Sequence, residues 1–148
     1  MVKLFDIPGD QTPPRTNAEA KWGDAIKAGY QVFPDALVRG QHLLKLTATD
    51  MVVIANLNQA WWYVDRLPYL QPQTIAKRMG VSERSVQRSL KRLRKKGFLT
   101  QIRKRQDDKT VRYYHDLSGL RAVVEDLARR DIRYSEAQRA QTEQRAGN

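Results

Sequence analysis

Apolar residues along the chain fall into short stretches of helical spacing, cut by glycine, proline and polar capping residues. Met1–Thr16 is broken by Gly9, Pro13 and Pro14, although Val2, Leu4, Phe5 and Ile7 give it an apolar edge able to dock. Asn17 is placed to cap a helix through about Ala28, with Ala20, Trp22, Ala25 and Ile26 as its apolar positions. Tyr30–Phe33 reads as a short extended piece. A helix from Pro34 to about Leu44 follows, with Leu37, Val38 and Leu43 inward. Thr47 or Thr49 then caps a helix through Trp62, on which Met51, Val52, Ile54, Ala55 and Leu57 form a broad apolar face. Pro68 and Pro72 bound a loop.

The pattern sharpens after that loop. Pro72 suits the first turn of a helix, where its missing N–H is not needed. Ile75, Ala76 and Met79 are the inward positions, and Gly80 ends the helix where a left-handed backbone is expected. Val81 reads as a buried turn residue. Ser82 caps the next helix, which runs to Lys96 and is closed by Gly97. Phe98–Arg105 and Thr110–His115 are β-prone and joined by the polar turn Gln106-Asp107-Asp108-Lys109, which predicts a hairpin. Leu117, Leu120, Val123, Val124 and Leu127 stripe a last helix. Beyond Tyr134 only alanines are apolar, so residues 135–148 are expected to form a frayed or disordered tail. The expected organisation is an N-terminal arm and short helix over 1–29, a central domain over 30–116, a C-terminal helix over 117–134, and the tail.

Charge changes the picture. The chain of 148 residues has 27 Lys and Arg against 16 Asp and Glu, a net charge of +11. Pro72–His115 holds fourteen of the basic residues and only three acidic ones, so the remainder of the chain is neutral. Between Arg84 and Gln106 there is no acidic residue. An ordinary solvated surface mixes the two signs, because like charges at helical spacing repel. A run of one sign this long is suited to a polyanion.

Other chemistry is poorly represented. The chain has no cysteine, which excludes disulfides, thiolate metal sites and a cysteine nucleophile. His42 and His115 are far apart in sequence, and no spacing suggests a zinc site, a phosphate-cradling glycine loop or a Ser-His-Asp set. No catalytic residue, metal or cofactor is therefore expected. The apolar runs Met51–Ala55 and Ala60–Val64 are too short to span a membrane. Met1–Asp6 has no basic region leading into an apolar stretch, so a cytoplasmic protein is expected. Trp22 and Trp61-Trp62-Tyr63 have rings able to stack on unpaired bases, but aromatics at a helix end more often fill a core.

The order of helix, glycine turn, capped helix and basic hairpin is that of a winged helix-turn-helix, a mainly α fold with a small β-hairpin wing. Thr74-Ile75-Ala76, Gly80-Val81-Ser82, Val86, Arg88, Leu90, Leu93, Gly97, Phe98 and Leu99 carry the resemblance. The stretch resembles the motif of GntR- and MarR-type regulators, and is similar to the N-terminal domains of plasmid and phage replication initiators. It departs from them at Gln71, where a small capping residue is usual, and at Ser85, where threonine is usual. The resemblance implies duplex DNA as the partner.

The residues agree with that implication. At about 100° per residue, Val86, Leu90 and Leu93 share one face of the helix, and Arg84, Arg88, Lys91 and Lys95 share the opposite one. A helix in the major groove reads base edges with its N-terminal half, which assigns Arg84, Ser85, Gln87 and Arg88 to base reading. Glu83 suits helix capping better than contact with a cytosine amine. Thr74, Ser82, Lys91, Arg92, Lys95 and Lys96 are expected on phosphates, and so are Arg103, Lys104, Arg105, Lys109 and Arg112 of the wing. Leu117, Leu120, Val124 and Leu127 are assigned to a homodimer contact, since a dimer reads a palindrome, with docking on the chain's own domain as the alternative. The expected role is transcriptional regulation, with replication initiation or partition of a mobile element as the alternative. A nucleoid-structuring or RNA-binding protein without sequence preference is a third reading. The sequence does not say whether a small-molecule effector acts.

Overall fold

A computed structural model of the protein describes residues 18–147. The arm bearing Val2, Leu4, Phe5 and Ile7, and the Asn17 cap, lie outside them. The helices are α1 (Ala18–Trp22), α2 (Asp35–Arg39), α3 (Ala48–Ala60), α4 (Pro72–Met79), α5 (Glu83–Lys95), α6 (Ser118–Arg129) and α7 (Ile132–Ala146). A short 3₁₀ turn over Gly23–Ala28 follows α1. Strands β1 (Thr100–Arg105) and β2 (Val111–Asp116) pair antiparallel, with Thr100 opposite Asp116 and Arg105 opposite Val111. Mainly helical with one two-stranded hairpin, the chain is a winged helix fold.

One buried cluster joins the elements. Val53, Ile54 and Leu57 of α3, Ile75 and Ala76 of α4, and Val86, Leu90 and Leu93 of α5 meet Phe98 and Leu99 at the root of the hairpin. Gly80 between α4 and α5 takes the left-handed conformation (φ 67°), which lets the Val81 amide donate back to the Ala76 carbonyl and turns the chain into α5.

The start of α3 is tied to α5 by polar groups. Thr47 and Asp50 form a reciprocal cap: the Thr47 hydroxyl accepts from the Asp50 amide at 3.0 Å, and Asp50 Oδ2 accepts from the Thr47 amide at 3.1 Å. The other oxygen, Oδ1, accepts from Ser89 Oγ at 2.7 Å and from Arg92 Nε and Nη2 at 3.2 and 2.8 Å. Asp50 is wholly shielded from solvent. Burial by itself pushes its carboxyl pKa up, but the bonds from Arg92, Ser89 and Thr47 outweigh that and hold it below the ordinary value.

The hairpin is anchored at its root by His115. Its amide donates to Pro68 O at 2.9 Å, and its buried ring lies with Nε2 3.0 Å from Leu70 O. A carbonyl only accepts, so Nε2 carries the proton. Nδ1 is buried with no partner. Burial therefore holds the ring below its ordinary pKa of 6.5, opposed by the bond to Leu70 and aided by nearby Arg94. At pH 7.5 the ring is therefore neutral in the folded state.

The C-terminal part corrects the sequence reading twice. Leu117, Leu120, Val124 and Leu127, assigned to a dimer contact, are only 5–6 % exposed and belong to the chain's own core. The close fit of α6 explains why: Leu120 N donates to Phe98 O at 3.0 Å, and a Cβ at Gly119 would sit 1.9 Å from Gly97 O. An apolar stripe has the same periodicity whether it covers its own domain or another copy. Residues 135–146 of the tail, expected to be frayed or disordered, are helical within α7, which buries no side chain. Asp131 caps that helix through the Arg133 amide at 2.9 Å, and the run of Ala, Gln, Glu and Arg favours helix without needing an apolar face.

Smaller departures lie near the N-terminal side. The helix expected over 17–28 divides into α1 and the 3₁₀ turn, and Ala20, Trp22 and Ala25 stay exposed. The helix expected over Pro34–Leu44 is cut to α2, since turns follow from Gly40 and Lys45 is left-handed (φ 54°). Val38, Leu43, Val52 and Val81 are exposed rather than inward. Trp61 packs against the core, whereas Trp62 and Tyr63 face solvent.

Two stability measurements follow. Asp50→Ala strands Arg92 and Ser89 and is expected to cost about 3 kcal/mol in urea unfolding; a loss below about 1 kcal/mol would show that the carboxylate does not hold α3 to α5. For His115 the folded pKa lies under the unfolded one, so its contribution is complete above pH 6.5 and is lost as pH falls through the folded value. Midpoints measured from pH 7.5 down to 5 should decline, and His115→Gln should flatten that decline.

Candidate nucleic-acid interface

Helix α5 starts at Ser82, whose hydroxyl accepts from the Ser85 amide at 3.1 Å and lies 3.0 Å from the Ser85 hydroxyl. The two serines thus close the helix N-terminus on each other, and Ser85 is half-buried. Arg84, Gln87, Arg88, Lys91 and Lys95 are exposed. None of the five has a hydrogen bond or ion pair among the described residues. At about 100° per residue the four cations fall within roughly 60° of one another. They form an unpaired positive line opposite the buried Val86, Leu90 and Leu93.

Two expected phosphate contacts are spent inward. Arg92 is bound to the buried Asp50, with its side chain 41 % exposed. Lys96 Nζ donates to the carbonyls of Leu44 and Lys45 and lies 5.9 Å from the centre of the Phe98 ring. Ser89, Arg92 and Lys96 occupy one flank of α5, within about 60° at the helical repeat, and this flank faces the start of α3 and the turn before it. Arg94 is half-buried, with Nη1 3.5 Å from Gln101 Oε1. Arg78 likewise reaches back to Asn56 and Gln59 of α3 at 3.2 and 3.0 Å.

Thr74 stands half-buried in the first turn of α4. Gln71 precedes that helix without a side-chain cap, so its unusual identity leaves the helix start intact. Lys77 is an exposed cation of α4 that the sequence reading assigned to nothing. Asp50 was missed as well. The Thr47-Asp50 spacing announces a cap, but no local signal shows that the same carboxylate reaches α5.

The wing carries Arg103, Lys104, Arg105, Lys109 and Arg112, all exposed. Its turn is held by Gln106 N donating to Thr110 O at 2.8 Å and by Asp108 Oδ1, which accepts from the Thr110 hydroxyl and amide at 2.6 and 3.0 Å. Those bonds hold the Asp108 carboxyl below its ordinary pKa. Register divides the cations. Directly opposed residues share a face, so Lys104 and Arg112 lie with Ile102 and Tyr114, and Arg103 and Arg105 lie with Tyr113, Val111 and the buried His115.

Among the described residues no helix is long and apolar enough to cross a membrane. A solved structure described as a possible transcriptional regulator from Methanosarcina mazei Go1 matches with 23% identity over 72% of this chain and 82% of that one. Its TM-score of 0.42 is too low to weigh on function. No curated protein matches the chain. The family model for the DnaD N-terminal domain matches residues 33–138, a span from the segment before α2 into α7 that includes α4, α5 and the wing. The chain belongs to the DnaD N-terminal domain family.

Proposed function

We propose that the chain binds duplex DNA through α5 and the wing and serves replication initiation, as a binding module rather than an enzyme. The observation that carries this reading is the line Arg84, Arg88, Lys91 and Lys95, exposed and unpaired on a helix whose other sides are fixed by the core and by Asp50. A rigid cationic helix with Gln87 beside it has the donors that base edges require: arginine for guanine, glutamine for adenine. Arg84, Gln87 and Arg88 read bases. Lys91, Lys95 and the wing cations Arg103, Lys104, Arg105, Lys109 and Arg112 hold phosphates, and Thr74 and Ser82 contribute at the helix starts.

Membership in the DnaD family favours replication over promoter control. The two roles differ in the sites they use: repeats near an origin for an initiator, a promoter palindrome for a regulator. Homodimerisation loses its expected basis, because the α6 stripe is consumed within one chain. With one chain on each site, repeated sites would supply the avidity.

Binding to a selected duplex should weaken with salt at roughly −0.9 in log K per log salt for each phosphate neutralised. Arg88→Ala should cost about 1–3 kcal/mol on that duplex and relax preference at one base position. Arg103→Ala with Arg105→Ala should weaken selected and random duplexes alike. Equal affinity for every duplex, or identical behaviour of the two variants, would contradict base reading by α5.

A further inference from the structure

The outer face of the wing has a feature that duplex reading by α5 does not use. Tyr69, in the segment before α4, forms an isolated antiparallel bridge with Tyr114 of β2. The two rings touch, with centroids 5.7 Å apart and planes at 41°. Each carries a cation: the Arg112 guanidinium lies 5.0 Å from the centre of Tyr69, and Lys104 Nζ 5.2 Å from the centre of Tyr114. A third such pair, Arg66 over Tyr63 at 5.0 Å, lies in the loop leading to Tyr69. Tyr69 is 37 % exposed and Tyr63 61 %.

We infer that this face is a second nucleic-acid site, for an unpaired strand, which the replication reading on which this choice rests makes single-stranded DNA. The pairing of Tyr69 with Tyr114 by itself is an ordinary cross-strand contact that stabilises a sheet. The repeated cation is what goes beyond it. A ring beside a guanidinium or ammonium offers a π-face for a base and a positive charge for the phosphate next to it, the two things an unpaired strand presents together. Duplex DNA hides its base faces by stacking, so it cannot use the rings. Because Tyr69 and Tyr114 touch, they form a platform rather than a slot, and a base stacks on its outer side. The excess of basic over acidic residues in Pro72–His115 supplies the attraction.

The site is distinct from the cation line of α5 and does not depend on base reading by that helix. Fluorescence anisotropy of the full chain with labelled oligo-dT and oligo-rU, beside the selected duplex, tests it. Wild type should bind oligo-dT at least as tightly as oligo-rU. Tyr69→Ala and Tyr63→Ala should each weaken oligo-dT by about fivefold or more. Tyr69→Phe should retain it, and duplex affinity should stay unchanged in all three. Tyr63 is a loop residue, so its variant reports even if loss of Tyr69 disturbs the hairpin. Oligo-dT binding that neither alanine variant alters would overturn the inference. So would loss of oligo-dT binding with Arg88→Ala alone, which would place the strand on α5, and tenfold tighter binding of oligo-rU would overturn the assignment to DNA.

Discussion

A single buried carboxylate sets the geometry on which the DNA-facing surface depends. Asp50 cannot lie shielded from water unless each oxygen is satisfied, and it finds its partners on two helices at once. One oxygen closes the cap of α3; the other takes Ser89 and Arg92 from α5. This fixes how α5 is rotated about its own axis. Apolar packing of Val86, Leu90 and Leu93 alone tolerates some rotation, whereas a bidentate arginine and a hydroxyl converging on one oxygen do not. With that flank committed, Arg84, Arg88, Lys91 and Lys95 have nowhere to point but outward.

The same constraint divides a strongly basic chain into structural and free charge. Arg92, Lys96 and Arg78 brace α5 and α4 against α3 and the turn before it. The unpaired cations of α5 and the wing remain for a polyanion. Net charge alone overstates the number available for phosphates, and geometry gives the smaller set that counts.

What the sequence made legible follows the range of each signal. The α4–turn–α5 unit was readable because its determinants are local: Pro72 at a first turn, Gly80 at a left-handed position, and Ser82 as a cap, each within a few residues of what it controls. The hairpin and its turn were readable on the same grounds. Arg92 and Lys96 were misplaced because periodicity separates a buried face from an exposed one but is silent about the flanks, where a third element decides. The α6 stripe was misassigned because burial within a chain and burial between chains leave the same pattern. Helix α7 was missed because a polar helix has no apolar period, and only its Asp131 cap and composition mark it.

The most direct test is an amide chemical-shift map of the labelled chain titrated with a duplex enriched from a random pool. The account predicts that the largest changes fall on Ser82–Lys91 and on the wing from Arg103 to Arg112, with α6 and α7 little affected. Changes centred on α6, or on the exposed aromatics Trp22 and Tyr30, with α5 silent, would contradict it.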